Sequence, residues 1–301
     1  MMSPLDHARP LVASGNLRRR NLVNRLVEAS ATIAAIIAVA VLGVVVYSIV
    51  ERGGSALSLD FLIKDPLPAF SGPGGGIAPA IVGTGLLVLV ATAVALPLGV
   101  LIAIYLTEFA GPRTASAVRL MLDLLNGLPS IVIGLFVFGL LVVGHPQTGF
   151  AGSFALAIIM LPIIARSSQE VLLVVPQNLR EAARALGVSR WRTVLGVVLP
   201  SALGGILTGA VLAVARAAGE TAPLILTSSI FANNVTGNIF GEALPNIPVS
   251  IFSLSESPDP VDHARAWGSA LVLMAFILVA ITGARALHRR FDQTQARLSR
   301  R

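Results

Sequence analysis

The sequence predicts an all-α, polytopic integral membrane protein with six transmembrane helices. Three observations predict it. Of 301 residues, 55% are hydrophobic and 12% charged, against roughly 25% charged in a soluble domain, so many apolar side chains must face something other than water. Six apolar stretches each reach the roughly 20 residues that a helix needs to cross a bilayer. Finally, the arginines gather at the ends of those stretches, mostly in every second connection, rather than along one face. That distribution separates the net charge of +7 from a nucleic-acid footprint.

The six spans are Ala29–Val50, Pro79–Leu106, Val118–Val143, Gly152–Val175, Ala202–Leu226 and Ala266–Leu287. The first contains no charged residue. Its 22 residues exceed the 7–15 or so of a secretory apolar region, so the stretch after Arg18, Arg19 and Arg20 reads as a retained span. Pro97 and Pro129 predict kinks in the second and third spans. Glycines recur in both, and small residues let helices approach closely.

Counting Lys and Arg orients the chain. Residues 1–28, 107–119, 166–200 and 285–301 hold 5, 2, 5 and 6 of them, 18 in all. The other side, residues 51–78, 144–151 and 227–265, holds only Arg52, Lys64 and Arg265. Both termini are therefore expected in the cytoplasm. The domain plan is a basic cytoplasmic segment over 1–28, a transmembrane domain over 29–287 with a cytoplasmic loop at 176–201, and a basic cytoplasmic tail over 288–301.

Several chemistries are excluded. There is no cysteine, hence no disulfide, thiolate metal site or Cys nucleophile. A phosphate-binding P-loop needs a lysine after a glycine loop, and the only lysine, Lys64, has none before it. No cofactor is expected on this chain. His7, His145, His263 and His288 are not paired at helical spacing within a span, so no metal site is expected. Gly72-Pro73-Gly74-Gly75-Gly76 reads as a loop leading into the second span.

Two segments carry positive signals. In the loop 176–201, a short helix from about Asn178 to Leu186 is expected to end on Gly187. A second segment then follows, stopped by Pro200. This makes a cytoplasmic knob suited to a groove on a partner, with Glu181 and nearby arginines as polar contacts. In the fifth span, Arg216 lies near mid-bilayer, where an arginine costs about 2.5–3.5 kcal/mol on insertion scales. Glu220 follows four residues later, on the same helix face, beside Thr221 and before a bend at Pro223. The pair is either an ion pair locking helices together or an anion site on a passage, since a guanidinium fork suits oxyanions such as phosphate.

The spacing Glu181-Ala182-Ala183, Gly187, Val197, Leu199, Pro200 resembles the EAA motif of bacterial ABC-importer permeases, with valine for the commoner isoleucine at 197. Residues 215–224, Ala-Arg-Ala-Ala-Gly-Glu-Thr-Ala-Pro-Leu, together with Asn126-Gly127-Leu128-Pro129-Ser130-Ile131-Val132-Ile133-Gly134-Leu135-Phe136, resemble the PstA-type permeases of phosphate-specific ABC importers. The resemblance covers roughly residues 80–287. It implies a MetI-like ABC type I permease fold in a bacterial plasma membrane, and phosphate import rather than catalysis. It implies a heterodimer with a PstC-type permease and a dimer of ATP-binding subunits that bind ATP and Mg. It also implies a periplasmic or lipoprotein phosphate-binding protein. By that resemblance Arg216, Glu220 and Thr221 line the substrate path, and Glu181, Ala182, Ala183, Gly187, Leu199 and Pro200 couple to the ATPase. The alternatives are an ABC permease for another solute (sulfate, molybdate or an amino acid), an intramembrane enzyme acting on lipid phosphates, and a membrane sensor.

Overall fold

The computed structural model of the protein describes residues 16–67, 72, 74–228, 234 and 238–298. Residues 1–15 of the basic N-terminal segment, Pro73 and residues 299–301 of the tail lie outside the described residues. Among the described residues every regular element is a helix. Residues 1–51 form one unit and residues 52–301 another.

The first unit holds most of α1 (Asn16–Gly54), which includes a candidate span over Arg19–Gly54 with a mean hydropathy of 2.9. The helix runs unbroken across residue 28, so residues 16–28 of the basic segment and the first span share one rod.

In the second unit, the segment expected as a loop between the first two spans contains a short helix, α2 (Leu59–Ile63), capped by the Ser58 hydroxyl, which accepts from Phe61 N. Next come α3 (Ala78–Ile104), a π-helical turn over Tyr105–Phe109, α4 (Pro112–Gly127) and α5 (Ser130–Val137) with a π turn over Phe138–Val142. They are followed by α6 (Gly149–Val174), α7 (Gln177–Ala185), α8 (Arg190–Thr193), a third π turn over Val194–Val198 and α9 (Leu199–Ala218). The last elements are α10 (Ala222–Thr227), α11 (Ile247–Ser255) and α12 (Pro260–Leu298).

α3 and α6 are the central pair. Gly99 of α3 lies so close to α6 that a Cβ there would sit 2.8 Å from Ile164 Cγ2. In a bilayer, where lipid is as apolar as leucine, such close approach is what holds helices together. Leu87, Ala91 and Ala95 of α3 pack with Leu156, Met160 and Ile164 of α6 and with Ala213 and Ala217 of α9. At one end, Ala103 and Ile104 pack with Leu172, Val194, Val198 and Ala202 beneath α7 and α8; this is the knob end. At the far end, Phe61, Ile77, Ala80 and Ile247 form a separate cluster.

The third span corrects the expectation of a kinked rod: α4 and α5 meet at 98°. The reason is local. A residue before proline is pushed out of the helical region, and Leu128 sits at φ −69°, ψ 137°. The pair still joins the two ends. Ala115 and Leu122 of α4 pack near Leu106 and Ala165, while Gly149 N beyond α5 donates to Glu242 O (2.8 Å) and Phe150 N to Ile239 O (2.9 Å) at the far end. Among the described residues five helices are long and apolar enough to span outright, and the bent pair taken as one span makes six.

The fifth span needs two corrections. Pro200 does not stop the segment before it; Arg190–Ala218 is one helical run. A proline ring clashes with the carbonyl four residues back in an α-helix, and the wide π turn over Val194–Val198 just before it relieves that crowding. The helix then ends at Ala218, earlier than the expected bend at Pro223, and restarts at Ala222.

Candidate functional site

The breaks of the two interrupted spans lie side by side. Gly134 of α5 packs on Pro223 of α10 so tightly that a Cβ at 134 would sit 2.6 Å from Pro223 Cα. The two motifs, 126–136 and 215–224, are thereby brought together although 78 residues lie between them in sequence.

Arg216 stands in the last turn of α9, where a cation meets the negative end of the helix dipole. It lines a small cleft with Asn126, Ser130 and Ile159. Ile159 is the eleventh residue of α6, about 15 Å in from its start at 1.5 Å per residue. The guanidinium is therefore at membrane depth. Its side chain is 52% exposed. Because a charge facing hydrocarbon is so unfavourable, that open half meets water or another protein chain.

Glu220 is placed differently from the expectation. It follows the helix end rather than continuing the face that carries Arg216, with its N–H donating to Ala217 O (3.2 Å). Its carboxylate reaches Arg216 at 3.6 Å (Nε to Oε1) and is 15% exposed. This is longer than a hydrogen bond, so the pair is electrostatic and leaves the guanidinium's hydrogen-bonding edge open. Thr221 is half-buried and precedes α10; its carbonyl accepts from Leu224 N and Ile225 N, both at 3.1 Å. Beside the cleft, and sharing Leu125, Leu128 and Ile133 with it, runs an apolar groove of about 530 Å³ walled by Val94, Leu98, Phe136 and Leu161.

The knob forms as its sequence dictates. α7 ends in a Schellman turn: Gly187 N donates to Arg184 O (2.9 Å) and Val188 N to Ala183 O (3.1 Å). Gly187 has φ +74°, the left-handed region that glycine enters without steric cost. Ala183 is buried against the body, while Glu181 and Ala182 face outward. Leu186 projects at the tip, 84% exposed. Leu199 and Pro200 are half-buried at the root of α9.

Sequence reasoning missed a second charge pair. Arg180 of α7 donates from Nε to Glu108 Oε1 at 2.9 Å, and both side chains are about 5–6% exposed. The two are 72 residues apart, so no local spacing announces the pair. The one available signal was a carboxylate, Glu108, placed right at the end of an apolar run.

Residues 95–295 match the family described as binding-protein-dependent transport system inner membrane component, which defines the class: the membrane part of a solute importer. The chain is 40% identical over 238 residues to the phosphate transport system permease protein PstA of Yersinia pestis, covering 78% of this chain and 79% of that one. It is 38% identical over 264 residues to the protein of the same description from Pasteurella multocida, covering 86% and 92%. With PstA 1 of Mycobacterium tuberculosis it shares 37% identity over 225 residues, 74% and 72% of the two chains. The chain belongs to the PstA family of phosphate transport system permease proteins. The fold is that of solved ABC permeases. A chain of a bacterial alginate ABC transporter aligns with a TM-score of 0.64 at 15% identity over 91% of this chain. A chain of the MetNI methionine ABC transporter, in an inward-facing form, aligns at 0.55 and 20% identity over 72%.

Proposed function

We propose that this chain is a multi-pass inner-membrane permease that forms half of the passage of an ATP-driven importer of inorganic phosphate. The observation that carries the reading is the half-open guanidinium of Arg216, held at membrane depth where the two motifs shared with PstA-type permeases meet. A fork of N–H donors with a free edge suits a tetrahedral oxyanion. The nearby Glu220 carboxylate offsets part of the guanidinium's charge and repels the anion, and so favours its release. Asn126 and Ser130 supply the other polar groups of the cleft, and Thr221 borders the passage beside Glu220.

ATP hydrolysis belongs to a separate subunit, which binds the ATP and Mg. The knob meets that subunit through Glu181, Ala182 and the tip at Leu186–Gly187, while Ala183, Leu199 and Pro200 seat the knob in the membrane domain. A PstC-type permease covers the open face of Arg216, and a phosphate-binding protein outside the membrane delivers the solute. The excess of basic residues on the knob's side supports a cytoplasmic location for both termini.

The test is phosphate accumulation in proteoliposomes that hold the full complex, loaded binding protein and ATP. Wild-type vesicles should accumulate phosphate, with sulfate and molybdate excluded, and Arg216→Ala vesicles should not, although their subunits co-purify. Full uptake by Arg216→Ala, or equal uptake of sulfate, would overturn the proposal.

A further inference from the structure

The inner end of α3 is gripped from two directions by the knob. On one side stands Arg180. Its Nε and Nη2 both reach Glu108 Oε1 at 2.9 Å, while Nη1 donates to Val175 O (2.5 Å) and Nη2 to Leu172 O (2.9 Å). The two carbonyls belong to the C-terminal end of α6, where helical carbonyls lack partners and a cation is favoured. One buried guanidinium thus ties α7 to both central helices. On the other side stands α8. The Trp191 ring lies 4.7 Å from the Phe109 ring between centroids, and the Arg190 guanidinium lies 4.9 Å from the centre of the same ring. Glu108 and Phe109 are neighbours in the π turn that ends α3, and their holders lie on opposite sides of the turn at Gly187.

We infer that this π turn is where movement of the knob enters the membrane domain, with Arg180 and Glu108 as the positioning pair of the relay. The inference rests on the coupling role proposed above. A buried ion pair whose guanidinium nitrogens all donate can fix register more than it adds stability. A knob held by one arm could swing past α3; held by both, it cannot turn without carrying Glu108 and Phe109 along. α3 passes the displacement to α6 through the close contact of Gly99 with Ile164. A π turn is also a helix's common site of functional adjustment.

The experiment measures phosphate accumulated per ATP hydrolysed in proteoliposomes of the full complex. Glu108→Gln keeps the shape but leaves Arg180 uncompensated. It should still assemble and hydrolyse ATP, with the ratio lowered about tenfold. An unchanged ratio would overturn the relay. The sequence has no cysteine, which gives a second variant that does not depend on the buried pair. Phe109→Cys with Trp191→Cys removes the aromatic grip and should lower the ratio. A short thiol cross-link between the two positions should return it to within about threefold of wild type. Failure of the cross-link to restore the ratio would overturn the relay, whether or not Glu108→Gln assembles. Wild-type vesicles that hydrolyse ATP but take up no phosphate would instead count against phosphate as the solute. The relay is then read from stimulation of ATPase activity by the binding protein: loss in Glu108→Gln supports it, and retention overturns it.

Discussion

Gly134→Ala tests whether the two motifs must touch. The added Cβ would lie 2.6 Å from Pro223 Cα, 3.1 Å from Pro223 Cβ and 3.4 Å from Leu226 Cδ1. Carbon atoms rest at about 3.5–4.0 Å, so α5 and α10 must separate by roughly 1 Å. The nearest atom is backbone, which cannot rotate aside. Overpacking of this kind costs about 1–3 kcal/mol, and the better helix propensity of alanine returns up to about 1 kcal/mol. The net, about 1 kcal/mol, is close to a fivefold change in an equilibrium. Phosphate uptake should therefore fall on the order of fivefold, and the temperature of unfolding in detergent should drop. Gly85→Ala is the control: a Cβ there meets no atom within 4 Å. Uptake and unfolding temperature both equal to wild type in Gly134→Ala would refute the argument that close packing at this contact sets the geometry of the cleft.

Three further outcomes are expected. Gly187→Val forces a β-branched residue into the left-handed region at about 1–2 kcal/mol, so ATPase activity should continue while uptake falls; Gly187→Asn, which tolerates that region, should stay near wild type in the same vesicle assay. Arg216→Lys keeps the charge but loses the fork, a loss of about 1.5–3 kcal/mol for a hydrogen bond to a charged group, so uptake should drop more than tenfold with co-purification of the subunits unchanged. Thr84→Val removes the hydroxyl that accepts from Ile247 N at 2.9 Å, leaving a buried donor unpaired at about 1–3 kcal/mol; the unfolding temperature should fall, and Thr84→Ser should restore it.

What the sequence made legible was whatever repeats or sits close together. Apolar length located the spans, and the glycine of the Schellman turn located the end of α7 to within a residue. The string around Arg216 pointed to a residue that lines a cleft. Contacts across sequence distance were not legible. Glu108 and Arg180 gave no joint signal, because a buried pair can be formed by any two elements that topology happens to join. The break at Leu128 was legible in principle, since a residue before proline resists the helical region. A kink was expected there because a span was assumed to continue through it. Glu220 was assigned to the face of Arg216 on the same assumption, that the helix runs on past Gly219.

The two interruptions bear on how such a site could open. Pro129 and Pro223 stand at the starts of the pieces beyond the breaks, and neither has an N–H with which to bond back across its break. α5 and α10 are locked to one another by the Gly134–Pro223 contact, yet each is joined to its own preceding helix by only a few non-helical residues. Rotating α5 and α10 together about the breaks therefore sacrifices no helical hydrogen bond. Separating α3 from α6 would undo packing as close as that of Gly99 on Ile164. α10 is held to α6 as well, since Thr148 N donates to Thr227 O (3.2 Å) and Gln147 Nε2 to Ile225 O and Leu226 O (3.2 and 2.9 Å), so turning α5 and α10 at their breaks gives up these bonds and ties any opening of the cleft to α6.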